Sequence, residues 1–429
     1  MLLGYYRPDG TLAYAGRVGT GFSQETLRDL AARMRPLEQA RTPFNKLPSD
    51  VPKSGVHWVK PTLVAQVEFN NWTKEGLLRQ AAFLGLREDK PASAIVREKP
   101  AAVEEVVDEQ APKNAPKRQA QLKDKRVLPD VRLTHPERVI YPDAGITKGE
   151  LAGYFAQVAD WMLPHVAGRL LSLVRCPEGI GGQRFFQKHP AAGMPEYIQR
   201  VPVEEKDGVE DHLVVNDVEG LVTLIQFGVV EIHVWGSKAA DFERADRLVF
   251  DMDPDPAVSW KEVIDSAILL RSLLQELGLK SFVKTTGGKG LHVVVPVQPR
   301  LNWDETKAFC KSVASLLETA APDRFIVNMS KVARRGKIFI DYLRNGRGAT
   351  AIAPFSTRAH PGAPVATPVS WDELPRLKSP QEFTIRNLPR RLSALKHDPW
   401  DELIKVRQSI SAAALEQLDN ARHSFGKRL

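Results

Sequence analysis

Residues 248–255 read LVFDMDPD, an apolar run that ends in alternating acids. In an extended strand the side-chain period is two, so Asp251 and Asp253 leave the same face about 7 Å apart at Cα. Two hard carboxylates on one face make a platform for a divalent cation. A second apolar run, KIFID at 337–341, delivers Asp341 at the end of another strand-like segment. Three such acids suit a two-metal site for Mg²⁺ or Mn²⁺ ions about 4 Å apart, which activates a hydroxyl and stabilises a departing phosphate. The same letters also suit a polar turn after a buried strand, where Asp and Pro are favoured by local backbone chemistry.

Between these acids, residues 281–297 read SFVKTTGGKGLHVVVPV, two apolar runs joined by a glycine-rich tip. Gly287, Gly288 and Gly290 let the backbone approach a ligand and aim successive N–H groups at one anion, while Lys289 and the Thr286 hydroxyl add donors. That is a cradle for a triphosphate, or else a glycine-rich hairpin turn. It is not a Walker A loop, because Gly290 follows Lys289 where Ser or Thr is required. His292, second in the next strand, is placed to donate to a phosphate oxygen, and His233 in VVEIHVWGS to face the nucleotide sugar or phosphates; each also reads as a structural strand histidine. Arg344, Arg347 and Arg358 follow Asp341, and guanidinium groups offset the charge that develops as pyrophosphate leaves. Arg358 and Arg344 are the favoured pair. In RFFQKH at 184–189, Phe185 and Phe186 accompany Lys188. Aromatic faces stack on bases while cations track phosphates, and neighbours in a strand point oppositely, so one Phe packs inside and the other is free to stack. Lys148 and Lys188 are candidates for DNA phosphates.

These groups need a scaffold, and 429 residues with 43% hydrophobic content suffice for two or three domains. No apolar run is long enough to span a membrane, and the N-terminus lacks the pattern of a signal peptide, so a cytoplasmic, nucleoid-associated protein is expected. Cys176 and Cys310 are the only cysteines, which excludes a disulfide framework or a cysteine-rich zinc site and leaves oxygen, with histidine, as the metal donors. Sixty Lys and Arg against 52 Asp and Glu give a net charge of +8, which favours a polyanionic partner.

Residues 92–128 are rich in Ala, Pro, Glu, Lys and Gln with no aromatic side chain, a composition that cannot offset chain entropy and predicts a flexible linker. Before it, residues 1–91 begin with a hairpin around Pro-Asp-Gly. A helix follows at 23–34, capped by Ser23 and striped by Leu27, Leu30, Ala31 and Met34, then strands at VHWVKPTLVAQVEFNNW and LLRQAAFLGLRED. That order fits a small closed β-barrel of the oligonucleotide-binding (OB) type. After the linker, residues 129–429 open with a capping box at 147–150 and the stripe Leu151, Tyr154, Phe155, Val158. Strands are expected at LLSLVRCP, RFFQKH, GLVTLIQFGVVEIHVW and ADRLVFDMD, then helices over 260–277 and 302–320 with a hairpin between them. The class is α+β or α/β, with a catalytic domain of mixed strands and helices.

THPERVIYP, FFQKH, EIHVWGS, DMDPD, TTGGKGLH and FIDYLRNGRGATAIAPFSTRAHPGAPVATPVSW together resemble the polymerase domain of bacterial DNA ligase D, within the archaeo-eukaryotic primase superfamily. The resemblance runs from about 129 to the C-terminus and implies an α+β primase-polymerase domain. In the first module, VHWVKPTLVAQVEF and GLREDK resemble the end of the same family's ligase OB barrel, with its last nucleotidyltransferase motif at Arg87, Asp89 and Lys90. The resemblance implies that Asp251, Asp253 and Asp341 hold two Mn²⁺ or Mg²⁺ ions, that Thr286, His292 and Arg358 engage an NTP or dNTP with His233 nearby, and that Phe185 or Phe186 stacks on nucleotide or template. Thr286 stands where members commonly carry Ser. Nucleotide addition at gapped, tailed or broken DNA ends, 5′-phosphorylated, and partnership with bacterial Ku are implied as well. One departure stands out. Ligases of this class need the lysine of Lys-x-Asp-Gly, which occurs nowhere here, and Arg7 in Arg-Pro-Asp-Gly stays protonated and cannot replace it. The adenylating part is therefore expected to be truncated or encoded elsewhere, with no nick sealing by this chain alone. A non-catalytic end-binding scaffold and a de novo primase are the rival readings.

Overall fold

The structure, a computed structural model, describes residues 1–7, 9–19, 22, 24–48, 51, 55–68, 76–78, 82–87, 92–95, 131–191, 193–205, 208–330 and 332–426. They fall into two compact units, one centred on the first hundred residues and one on the remainder. In the first, Leu2–Tyr6 pairs antiparallel with Leu12–Arg17, Glu38–Gln39 with Trp58–Val59, and Val64–Glu68 with Ala82–Arg87. The helix Gln24–Met34 lies where the apolar stripe predicts it. Val18, Leu30 and Phe83 make its small buried core. Pro61, which has no N–H to give a ladder, divides what reads as one strand into two short ones. The predicted cap Ser23, motif residues Asp89 and Lys90, and nearly all of the predicted linker lie outside the described residues.

In the second unit the antiparallel pair Val139–Tyr141 and Ile146–Thr147 leads into the helix Lys148–Gln157, whose capping box is complete: Thr147 Oγ1 accepts from Glu150 N and Glu150 Oε2 from Thr147 N. Its strands form two main sheets. One has the order Phe185–Gln187, Leu171–Arg175, Val229–Trp235, Thr350–Ile352, antiparallel throughout. The other runs Phe325–Ile326, Ile338–Asp341, Arg247–Pro254, Leu291–Pro296, Phe282–Thr285, Pro368–Val369, antiparallel except for the first pair. The helices Trp260–Glu276 and Trp303–Ala320 carry capping boxes begun by Ser259 and Asn302 and bury apolar stripes in the main core. No helix among the described residues is long and apolar enough to cross a membrane.

One expectation fails. Residues 220–235, read as strand, form the helix Val218–Gln226 followed by the strand Val229–Trp235. Asp217 caps the helix by accepting from Gly220 N at 2.7 Å, and Gly228 turns the chain out of it at φ +75°. Gly220 to Ile225 are all buried, and a helix buried on every side shows no periodicity to separate it from a strand.

Candidate active site

Strand register brings the acids together. Asp251 stands directly opposite Asp341 on one neighbouring strand and opposite His292 on the other, and His292 in turn faces Lys284. Directly paired residues share a face, so Asp341, Asp251, His292 and Lys284 form one row across four strands. Asp253, two residues along, shares that face. His292 Nε2 lies 3.4 Å from Asp251 Oδ1, and Arg344 Nε lies 3.2 Å from both Asp251 Oδ2 and Asp341 Oδ2. Arg344 thus bridges two acids of the row, and Arg347 pairs with Glu243 at 2.7 Å.

The row's electrostatics suit a cation. Burial raises Asp251, but His292, Arg344 and Lys284 outweigh it and hold the carboxyl well below the usual range. Asp253 is raised by burial and by the Asp251 charge; Asp341 is raised by burial and the same neighbour despite Arg344. Three oxygen donors on one face, two of them raised chiefly by burial with the Asp251 charge adding, fit a hard divalent ion. Arg334, which sequence reasoning missed, donates to Asp253 Oδ2 at 3.2 Å while its guanidinium sits 3.6 Å from the centroid of Phe339. Its signal was the basic run KVARRGK just ahead of Asp341.

The glycine-rich tip is tightly folded. Thr286 Oγ1 donates to Gly290 O at 3.0 Å and accepts from Gly288 N and Gly290 N at 3.2 and 3.3 Å, so the hydroxyl shapes the loop. Gly287 has φ +63°, and a Cβ on Gly290 would lie 1.9 Å from the Met252 carbonyl oxygen. Only glycine fits there, so the loop backbone rests on the peptide between Asp251 and Asp253. Lys289 is exposed at the tip.

Glu231, also missed, links this loop to the other sheet. Its carboxylate accepts from His233 Nε2 at 2.8 Å, Arg358 Nε at 3.1 Å and Ala359 N at 2.8 Å, while Arg358 Nη1 donates to Thr286 O at 3.2 Å. Against burial, His233 and Arg358 pull Glu231 down to about 2. Burial lowers His233, and burial with Lys284 lowers His292 to about 4, so both imidazoles are neutral at pH 7. An acid two residues before a histidine in an apolar strand was the available signal, since period two puts both on one face.

On the other sheet, Phe186 is 82% exposed while Phe185 is partly buried, the alternation expected of RFFQKH. Lys188 is exposed. Lys148 is buried, its Nζ donating to Thr134 O at 2.9 Å and Gln226 Oε1 at 2.8 Å, and burial brings it down to about 8.

Known proteins share this plan. The family described as LigD, primase-polymerase domain, matches residues 147–400, and the ATP dependent DNA ligase C terminal region matches 1–90. The multifunctional non-homologous end joining protein LigD of Pseudomonas aeruginosa is 40% identical over 422 residues, 97% of this chain and 49% of that protein. Its Mycolicibacterium smegmatis counterpart is 36% identical over 246 residues, 57% of this chain and 32% of that protein. The chain spans half or less of the length of these relatives. The solved polymerase domain of Mycobacterium tuberculosis ligase D, in complex with DNA, superposes with a TM-score of 0.60 at 32% identity, covering 64% of this chain and 97% of that one. With its primase-polymerase fold and the family match over most of its second unit, the chain belongs to the LigD primase-polymerase family.

Proposed function

We propose that the chain is a DNA-end-repair polymerase of bacterial non-homologous end joining, adding an NTP or dNTP to a primer 3′-hydroxyl with release of pyrophosphate. The observation that carries this reading is the row in which Asp341 faces Asp251, with Asp253 on the same face and the glycine loop backed against Met252. Asp251, Asp253 and Asp341 would hold two ions, Mn²⁺ or Mg²⁺, which would supply a lowered hydroxyl pKa and charge relief for the leaving group. The 3′-oxygen forms a bond to the α-phosphorus as the bond to pyrophosphate breaks. Lys289 and the Gly287 backbone grip the triphosphate at the loop tip, whose shape Thr286 fixes through Gly288 N and Gly290 N. Arg358 and neutral His233 and His292 border that grip, and Arg344, between Asp251 and Asp341, adds positive charge beside it. DNA ends, 5′-phosphorylated, are the polymeric substrate and bacterial Ku the partner. Domain boundaries at 91 and 129 set a ligase-type OB module apart from the polymerase in this reading.

A gapped or tailed 5′-phosphorylated duplex, supplied with Mn²⁺ or Mg²⁺ and with NTPs or dNTPs, tests the reading. Extension that requires a 3′-hydroxyl and releases pyrophosphate supports it. DNA binding without extension indicates a scaffold, and primer-free synthesis indicates a primase.

The two contact faces carry their own expectations. Phe186→Ala weakens binding to tailed DNA by about 1–3 kcal/mol, the worth of one base stack, whereas Phe185→Ala lowers the melting temperature more than the affinity. Fluorescence anisotropy and thermal melts separate the two. Lys148, with its pKa near 8, is charged below that pH and neutral above it. Phosphate binding through it is therefore present at pH 7 and lost as pH rises to 9, and Lys148→Ala removes that pH dependence in the same anisotropy assay.

A further inference from the structure

Behind His292, on the face of the catalytic row, lies a small recess of about 30 Å³. Arg247, Lys284, His292 and Arg344 line it, and no carboxylate does. Lys284 is 2% exposed, and its ammonium has no hydrogen-bond partner among the described residues; the same holds for His292 Nδ1. An unpaired buried ammonium costs several kcal/mol by order of magnitude. The nearest acid in the row, Asp251, is already engaged by His292 and Arg344. We propose that this recess binds one small, weakly hydrated monovalent anion, chloride in kind, with Lys284 as its anchoring cation.

The walls choose among anions. Besides these polar groups they are mostly apolar, Val249, Val294, Ile352 and Trp400 among them, which offer little to the several oxygens of a phosphate or sulfate, and an oxyanion there would lose hydration without replacement. A halide needs only a few charge-assisted N–H donors, and Lys284 and His292 Nδ1 supply them. Burial and the Arg358 charge hold the Lys284 ammonium well below its ordinary range against the pull of Asp251; an anion alongside restores the charged form.

Chloride-35 NMR on the full chain, without nucleotide, DNA or divalent metal, tests the assignment. Saturable line broadening, displaced by bromide, is expected for the natural protein. Lys284→Met, which removes the charge, and Ala351→Leu, which fills the recess, should each weaken it by about tenfold or more; Lys188→Met should not. Replacing gluconate by chloride at fixed ionic strength should raise the melting temperature of the natural protein and leave that of Lys284→Met unchanged. Absence of broadening, or equal broadening in all variants, overturns the site. If Lys284→Met does not fold, Ala351→Leu alone decides. A negative result leaves the polymerase reading untouched, because no turnover is measured.

Discussion

Asp251→Ala and Asp253→Ala are each expected to abolish nucleotide addition, by about a thousandfold or more, while DNA affinity stays within severalfold. A bound divalent ion contributes several kcal/mol of charge stabilisation to a phosphoryl-transfer transition state, and about 4 kcal/mol corresponds to three decades of rate. The two variants should differ in stability. The Asp251 side chain is 14% exposed and answers both His292 and Arg344, so its removal strips the buried imidazole of its partner and Arg344 of one of its two acids. Asp253 is 43% exposed and answers Arg334, so its loss should barely move the melting temperature. Single-turnover extension, anisotropy and thermal melts on the same preparations make the comparison. Full extension activity in either variant would sink the metal-site assignment.

Glu231→Ala should raise the KM for nucleotide strongly and destabilise the fold by about 3 kcal/mol, because it strands the Arg358 guanidinium and leaves the His233 tautomer unfixed. Glu231→Gln keeps an acceptor for Arg358 and should keep the fold, while disturbing His233, so its defect should appear in KM more than in melting. Acid titration gives an independent reading. His233 and Arg358 hold Glu231 at about 2 in the folded protein, below the ordinary 4.5, so the carboxylate's stabilisation is full above about pH 4.5. It is lost as pH falls toward 2, and amounts to about 3 kcal/mol. The wild-type melting temperature should drop over that window by more than that of Glu231→Gln. Equal acid slopes for the two proteins would remove Glu231 from this position.

Much of the site was legible because it lies in local patterns. The acids alternate in an apolar run, the glycines cluster at a hairpin tip, and Thr147, Ser259 and Asn302 each begin a capping box with the expected glutamate three residues on. What was illegible depends on register and on distant packing. Nothing near Lys284 in sequence says that it ends the row begun by Asp341, since that follows from three separate strand pairings. Arg344 was read as a phosphate ligand and stands between two carboxylates, a placement set by the Asp251–Asp341 pairing. Glu231 and Arg358 are 127 residues apart in the chain, and no periodicity links them. The helix Val218–Gln226 was hidden for the opposite reason: burial all round erased its stripe.

The contact between Gly290 and the Met252 carbonyl makes the site a fixed gauge. The loop proposed to grip phosphate and the peptide that joins Asp251 to Asp253 touch backbone to backbone, with no side chain between them to bend or be exchanged. The span from phosphate grip to carboxylates is thus set by main-chain packing alone, and it is the same for every nucleotide that enters. Triphosphate is what all nucleotides share, so the rigid jaws measure only the common part. Discrimination among sugars and bases falls to the adjustable surroundings, and mutations there can retune preference without recalibrating the jaws.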